Sequence, residues 1–348
     1  VGAPQEIFID PSIAGDSGTG TSGDPFGDLQ FALDRQGTAD YTRDATNGDR
    51  FNIKSGTAEL LSTSLSLATY GTPTRDAPLI FQGFASTEGD GDFQAGTGIA
   101  EIDMQGNNST IIAAGAGINF MHVHLHGTGN VAVFTADFNQ HIIECEISEG
   151  TGGGITGGNL GPSVIGCHIH DTGGIGVNNC SLVLYNYFKN DGTTDFTTAI
   201  DSAAAVGSIV GNIISVDGSS NGIVVDHRNG GICSQNSIFS SGTSGTGITY
   251  TSPRDSALIN NLVEGFNIGI LYTPSTNQQP IYANNKVFNA TTDFSQAGQT
   301  EALLVQLNEV LSATPFDKSG SDTFINRKTF FSPVDTGNVH GGAYKGAS

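Results

Sequence analysis

Val210-Gly211-Asn212-Ile213-Ile214, Ser234-Gln235-Asn236-Ser237-Ile238 and Ile259-Asn260-Asn261-Leu262-Val263 are three occurrences of one pattern, a central Asn flanked two residues away by mostly apolar positions. Working outward, it recurs as Leu184-Tyr185-Asn186-Tyr187-Phe188 and Ala283-Asn284-Asn285-Lys286-Val287. With Cys at the centre it recurs as Ile143-Glu144-Cys145-Glu146-Ile147 and Ile165-Gly166-Cys167-His168-Ile169, and Met121-His122-Val123-His124-Leu125 fits the same frame. The central positions 123, 145, 167, 186, 212, 236, 261 and 285 are separated by 22, 22, 19, 26, 24, 25 and 24 residues. A period in the low twenties that tolerates slips predicts a solenoid whose turns vary while its strands hold register. Each coil adds about 4.8 Å, so a strand lies over its equivalent one coil earlier.

Read as one strand, the pentapeptide turns its central residue inward together with the apolar residues two away, because side chains alternate along a strand. A lone inward Asn is costly. Asn residues stacked in successive coils satisfy one another, so Asn186, Asn212, Asn236, Asn261 and Asn285 are predicted to form an internal ladder. Cys145 and Cys167 continue it as small apolar plugs and are read as reduced thiols. A second column follows a Gly-rich turn in most coils: Gly174-Ile175-Gly176-Val177, Gly222-Ile223-Val224-Val225, Gly247-Ile248-Thr249-Tyr250 and Gly269-Ile270-Leu271-Tyr272. The fold class expected is all-β, a single-stranded parallel β-helix.

An open solenoid exposes its core at both ends, so caps are expected. Asp24-Pro25 followed by Phe26, Leu29, Ala32 and Leu33 predicts an N-capped helix over about 24–34, within an N-terminal cap of residues 1–48. The β-helix is expected over 49–294. Glu301 to Leu311, with Leu303, Leu304, Leu307 and Leu311 at helical spacing, is a candidate helix or covering segment within a C-terminal cap or tail of residues 295–348.

Composition agrees with many short strands and tight turns: 348 residues include 49 Gly, 14% charged residues and no Trp. The 34 acidic residues against 13 basic ones give a formal charge of −21. That surface repels phosphate backbones, so nucleic acid is a poor partner. No apolar stretch approaches 18 residues, so no membrane insertion is expected. Four cysteines are too few for a disulfide scaffold. The chain opens on Val1, which implies removal of an initiator Met or of a longer leader.

Ile7-Phe8-Ile9-Asp10-Pro11, the Gly/Ser/Thr run to Gly23, the segment Pro25 to Leu33, Gly48-Asp49 and Lys54-Ser55-Gly56-Thr57, together with the Asn repeats, resemble the pectate-lyase-like right-handed parallel β-helix superfamily. The resemblance covers the chain to about residue 290. It implies a right-handed solenoid and spans lyases, glycosidases, phage tailspikes and non-catalytic surface proteins. The Asn-Thr-Asp, Asp-Asp, Gly-His-Gly and Arg-Ile-Lys hallmarks of the polygalacturonase branch are absent. Val225-Asp226-His227 is similar to a pectate-lyase segment whose Asp helps bind calcium, but the accompanying arginines are missing and no catalytic role is carried across.

The densest chemistry lies in the early coils. His122, His124 and His126 are expected to point outward, with Glu144 and Glu146 beside the first two one coil later, then His168 and His170, then Tyr187. Such an array can hold a transition metal through His122, Glu144, Glu146 and His170. It can equally supply proton transfer for β-elimination through His124, His168 and Tyr187. The plain reading is a charge-balanced His/Glu ladder on a structural face. Asp226, His227 and Arg228, with Arg254 a coil later, form a candidate sugar-binding group, or surface ion pairs of little energy. Asp90 and Asp92 in an acidic Gly-rich loop are candidate calcium ligands, or a solvated turn. No cofactor is required.

The function expected is that of an extracellular or virion-surface structural protein: a phage fibre, tailspike, capsid-decorating protein or filament subunit. Self-association, for example as a trimer, contact with other surface proteins and contact with a cell-surface glycan go with that reading. The alternative is a polysaccharide lyase working on the outer face.

Overall fold

The computed structural model describes residues 2–15, 17–35, 42–61, 64–67, 73–87, 89–92, 95–105, 111–113, 117–127, 131–135, 140–158, 161–190, 195–202, 207–226, 231–251, 256–273, 281–296 and 309–310. They fall into two compact units, Val1–Thr172 and Gly173–Ser348, and each is an all-β parallel solenoid in which a coil gives one strand to each of three sheets.

In the first unit the first sheet runs Gln5–Ile9, Asp49–Lys54, Leu79–Phe84, Ile118–Met121, His141–Ile143 and Ser163–Ile165. The second sheet runs Glu59–Leu60, Ala100–Asp103, Val123–His126, Glu146–Ile147 and His168–His170. The third holds Leu65–Ser66, Ile111–Ala113, Val131–Thr135 and Gly153–Thr156. Inside, Phe51, Phe81 and Phe120 occupy one column, in register through Phe51↔Phe81 and Phe81↔Phe120, and their rings stack at 5.5 and 5.1 Å. Identical residues one rung apart bring aromatic faces together, which adds to the burial of each ring.

The second unit repeats the plan. Its first sheet is Leu182–Leu184, Ser208–Val210, Gly231–Ser234, Ser256–Ile259 and Ile281–Ala283. Its second is Tyr187–Lys189, Ile213–Val216, Ser237–Ser240, Leu262–Glu264, Lys286–Phe288 and Glu309–Val310. Its third is Ile175–Asn178, Thr198–Ser202, Asn221–Val225, Thr246–Thr251, Ile268–Thr273 and Thr292–Gln296. The second column read from the sequence is the third sheet, with Ile223, Ile248, Ile270 and Phe294 stacked in register and buried.

The recurring pentapeptide is not one strand. Its first residue ends a first-sheet strand, its second turns the chain, and its fourth begins a second-sheet strand. His122, Glu144, Tyr185, Gln235, Asn260 and Asn284 all occupy this corner with φ between 51° and 58°, and Gly166 and Gly211 occupy it with φ of 65° and 69°. A left-handed corner costs a non-glycine residue roughly 1–2 kcal/mol. The inward prediction for the third residue holds all the same, because the corner leaves it facing the interior.

What that residue does there explains why it is Asn. The carboxamide oxygen of Asn236 accepts from the backbone N–H of Asn212 at 3.0 Å and from its Nδ2 at 2.9 Å. Nδ2 of Asn236 donates to Asn261 Oδ1 at 2.9 Å and to the carbonyl of Ile209 at 3.0 Å. Asn212 and Asn261 repeat the arrangement, so each amide oxygen and nitrogen is used at least twice, and the backbone N–H at the bend is capped from the next rung. In the first unit Cys145 and Cys167 fill the equivalent position, buried, and all four cysteines are reduced.

The N-terminal helix expectation is corrected. The N-terminal helix is Leu29–Asp34, and its N-cap is Asp28, whose carboxylate accepts from the Phe31 N–H at 2.6 Å. Asp24 and Pro25 lie before it in extended chain, because Phe26 bridges to Ile9 and is buried there. Of the candidate segment Glu301 to Leu311, residues 301–308 and 311 lie outside the described residues, and Glu309–Val310 is a strand paired with Lys286 and Val287.

Two predictions follow from this packing. Replacing Asn236 by Ala strips partners from two donors and two acceptors in a water-free interior, and is expected to cost about 3–5 kcal/mol. Urea denaturation reads this directly, and a loss under 1 kcal/mol contradicts the ladder's role. The second prediction concerns Glu59, whose buried carboxylate accepts from the Leu29 N–H at 3.1 Å. Burial pushes it up from 4.5 to about 7, against that hydrogen bond and with the help of the Asp28 charge. A carboxyl raised on folding holds its proton longer in the folded chain, so stability falls as pH rises from 4.5 to about 7. Glu59→Gln removes that loss and is expected to gain on the order of 2–3 kcal/mol over the parent at pH 8 and almost nothing at pH 4. Equal differences at the two pH values contradict it.

Candidate functional site

The outer face of the second sheet in the first unit gathers imidazoles and carboxylates in two columns. One runs Glu101, His124, Glu146, His168, fixed by the pairings Glu101↔His124, Glu146↔His124 and Glu146↔His168. His126 and His170 lie two residues further along their strands, beyond Leu125 and Ile169, which face inward and are fully buried. Strand alternation thus places two rings of one rung side by side. His124 and His126 stack at 4.8 Å, and His168 and His170 at 4.3 Å.

The rungs are cross-linked by polar contacts. His126 Nε2 lies 2.6 Å from Glu101 Oε1, and His124 Nε2 lies 2.8 Å from Ser148 Oγ. Glu146 Oε1 lies 3.1 Å from His170 Nε2 and 3.6 Å from His168 Nδ1, so two rings meet one oxygen. His170 uses its other nitrogen, donating from Nδ1 to Asp171 Oδ2 at 2.9 Å.

These contacts set the protonation balance. Burial would push Glu146 up, but hydrogen bonds from His168 and His170 outweigh it and hold the carboxylate well below its ordinary range. Burial pushes His124 below the ordinary imidazole value, and the nearby Glu146 charge only partly offsets this. For His170 burial works in the same direction, yet hydrogen bonds to Glu146 and Asp171 raise it above that value. One face therefore carries an imidazole that favours neutrality and one that favours charge.

Among the residues singled out from sequence, His124, Glu146, His168 and His170 are brought together. His122 is corrected in its placement: it stands not on the strand with His124 but at the corner before it, only 8% exposed. Gly91 backs directly onto its ring, where an added Cβ would stand 2.7 Å from Nδ1. His122 Nε2 pairs with Glu144 Oε2 of the next corner at 2.9 Å, as a contact separate from the Glu146 group. Among the described residues, the three whose ligand-type atoms lie within 4.8 Å of one another are Glu146, His168 and His170.

Tyr187 begins a second-sheet strand of the second unit, in register with Ile213. Asp226 follows the third-sheet strand Asn221–Val225, while His227, Arg228 and Arg254 lie outside the described residues. Asp90 is committed to its own turn. Its carboxylate accepts from the N–H groups of Ala85, Ser86 and Thr87 at 2.7–2.9 Å, which holds it well below its ordinary range. Asp92 accepts from the Ala95 N–H at 3.0 Å. Sequence reasoning missed Ser148 and Asp171 as partners of His124 and His170; Asp171 follows His170 directly, which was the available signal.

The class defined by this fold and face is a parallel β-solenoid with an ordered His–carboxylate array on one sheet. No known family model matches the chain, and no curated protein matches it. Among solved structures it is similar to a pectin methylesterase from carrot, at 10% identity and a TM-score of 0.32, covering 90% of each chain. It is also similar to a GH136 lacto-N-biosidase from Eubacterium ramulus, at 10% identity and a TM-score of 0.33, covering 87% of this chain and 67% of that one.

Proposed function

We propose that this chain is a self-associating structural solenoid of the extracellular space or a virion surface, with a glycan-contacting exterior. The observation that carries the reading is the outer face of the first sheet in the second unit. Register aligns Leu182, Ser208, Ile232, Ala257 and Ile281 in one outward column. Leu184, Val210, Ser234, Ile259 and Ala283 form the next outward column. Neither column contains a charge, in a chain whose formal charge is −21. Ile232 and Ile281 are 43% and 64% exposed, which is unusual for aliphatic side chains on one sheet face.

The occupant we assign to this face is a second copy of the chain. Copies of so acidic a protein repel wherever their acids meet, and this uncharged face lets them approach without that penalty. A patch that buries itself against its own symmetry mate also needs no other partner to become stable. The acidic, Asn- and Thr-rich remainder then faces outward, where hydroxyl-rich glycans offer matching hydrogen bonds. Sedimentation of the full chain at tens of micromolar is expected to show an oligomer, and Ile232→Glu with Ile281→Glu to leave a folded monomer. A monomeric parent, or assembly unchanged in the double variant, overturns the reading.

A second reading, a polysaccharide lyase, is favoured by the opposite shifts of His124 and His170 on one face. Two groups on one face, two rungs from each other and shifted in opposite directions, suit a base and an acid. In β-elimination His124 would take the proton beside a uronate carboxylate and His170 would protonate the departing glycosidic oxygen. Incubation with alginate or pectate is then expected to yield an unsaturated product absorbing in the ultraviolet, reduced about 100-fold or more by His124→Ala. A flat absorbance trace across such polymers removes this reading and leaves the first standing.

A further inference from the structure

We propose that Glu146, His168 and His170 bind a divalent transition-metal ion, with Zn²⁺ as the fitting member of that class. The inference is independent of self-association and is an alternative to the proton-donor role that the lyase reading gives His170. Its geometry comes from two adjacent rungs: His168 and His170 project from one side of a single strand, and Glu146 stands opposite His168 one rung away. In a tetrahedral site with Zn–N and Zn–O bonds near 2.0–2.1 Å, neighbouring ligand atoms stand about 3.3 Å apart. Glu146 Oε1 stands 3.1 Å from His170 Nε2 and 3.6 Å from His168 Nδ1, values that bracket that separation. The three ligand-type atoms fall within 4.8 Å of one another, so a small ring rotation closes the set around one ion.

A separate feature prepares His170 to be a ligand. Its Nδ1 donates to Asp171 Oδ2 at 2.9 Å, which holds the ring with Nε2 facing Glu146, where a metal ion takes the place of the Nε2 proton. Carboxylate partners of this kind orient metal-bound histidines and raise their basicity. Asp171 achieves this from a left-handed backbone, φ 49°, immediately after the strand, which folds its carboxylate back onto the preceding ring. The ring stack at 4.3 Å keeps His168 beside His170, and tilting the rings apart lets their in-plane lone pairs meet on one ion. Side-chain exposures of 12% and 18% for the two histidines shelter the site from competing water. Three protein ligands leave a fourth position for water or for an oxygen of a bound molecule.

The test is calorimetric titration of the metal-free full chain with Zn²⁺. One ion per chain is expected, with affinity in the micromolar range or tighter. His168→Gln and His170→Gln each weaken it at least tenfold, and Asp171→Asn weakens it by about 10–100-fold through the orientation of His170. His126→Gln, on the same face but paired with Glu101, leaves affinity unchanged. Co²⁺ supplies a reading that does not depend on comparing variants: bound to the parent chain, it is expected to show the visible absorption of a four- or five-coordinate site. Absence of saturable Zn²⁺ uptake by the parent overturns the proposal, as does affinity within twofold of the parent in both His168→Gln and His170→Gln.

Discussion

At each corner from His122 to Asn284 a coil turns from its first sheet to its second through one residue in the left-handed region, and that bend is what the interior is organised to support. The turn takes the next backbone N–H out of ordinary strand pairing and buries it. In the second unit the carboxamide of the following rung caps it: Asn212 N–H donates to Asn236 Oδ1, and Asn236 N–H to Asn261 Oδ1. The same carboxamide's nitrogen returns to a carbonyl of the preceding rung, as Asn236 Nδ2 does to Ile209. Asn is thus the side chain whose donor and acceptor together match a bent, buried backbone. Hydrophobic columns alone could slide by two residues with little change in burial; a ladder of directional hydrogen bonds cannot.

Because the interior fixes register, it also decides what meets on the outside. Alternation places residue types in columns, and parallel stacking places each column's members one rung apart. In the first unit this gathers Glu101, His124, Glu146 and His168, and in the second it gathers Leu182, Ile232, Ala257 and Ile281. The two faces differ only in the residues dealt to them. A solenoid carries unlike surfaces without changing its core, since its inward columns are nearly constant and its outward ones are unconstrained by packing.

This division also explains what could be read from the sequence. The inward columns were legible, because burial forces a repeating choice: Asn at 186, 212, 236, 261 and 285, and apolar residues two further on. The corner was not legible, because a strand and a corner place the third and fifth residues on the same side and give the same apolar pattern. Gly166, Gly211, Asn260 and Asn284 at its second position were the available signal, being the residue types that tolerate a left-handed backbone. His122 was misplaced for that reason, since alternation has no meaning across a bend. The helix start was shifted from Asp24 to Asp28 because Pro25 reads as a first helical residue, while the tertiary pairing of Phe26 with Ile9 keeps that segment extended.

Three sheltered carboxylates of the first unit show how the same rules separate structure from chemistry. Asp49 and Glu59 lie inside, and burial pushes them up to about 6 and about 7, despite backbone N–H donors and, for Asp49, the nearby Arg43. Neutral dipoles at these distances do not replace the lost water. Glu146 is also largely shielded, yet two imidazoles converge on one of its oxygens and hold it ionised. The interior carboxyls therefore lose their charge as pH falls through about 7 and about 6, whereas the outer column retains a shielded anion with two imidazoles already facing it. A cation arriving there meets little competing water and needs little rearrangement of its ligands, and both advantages follow from the rung spacing of the parallel strands.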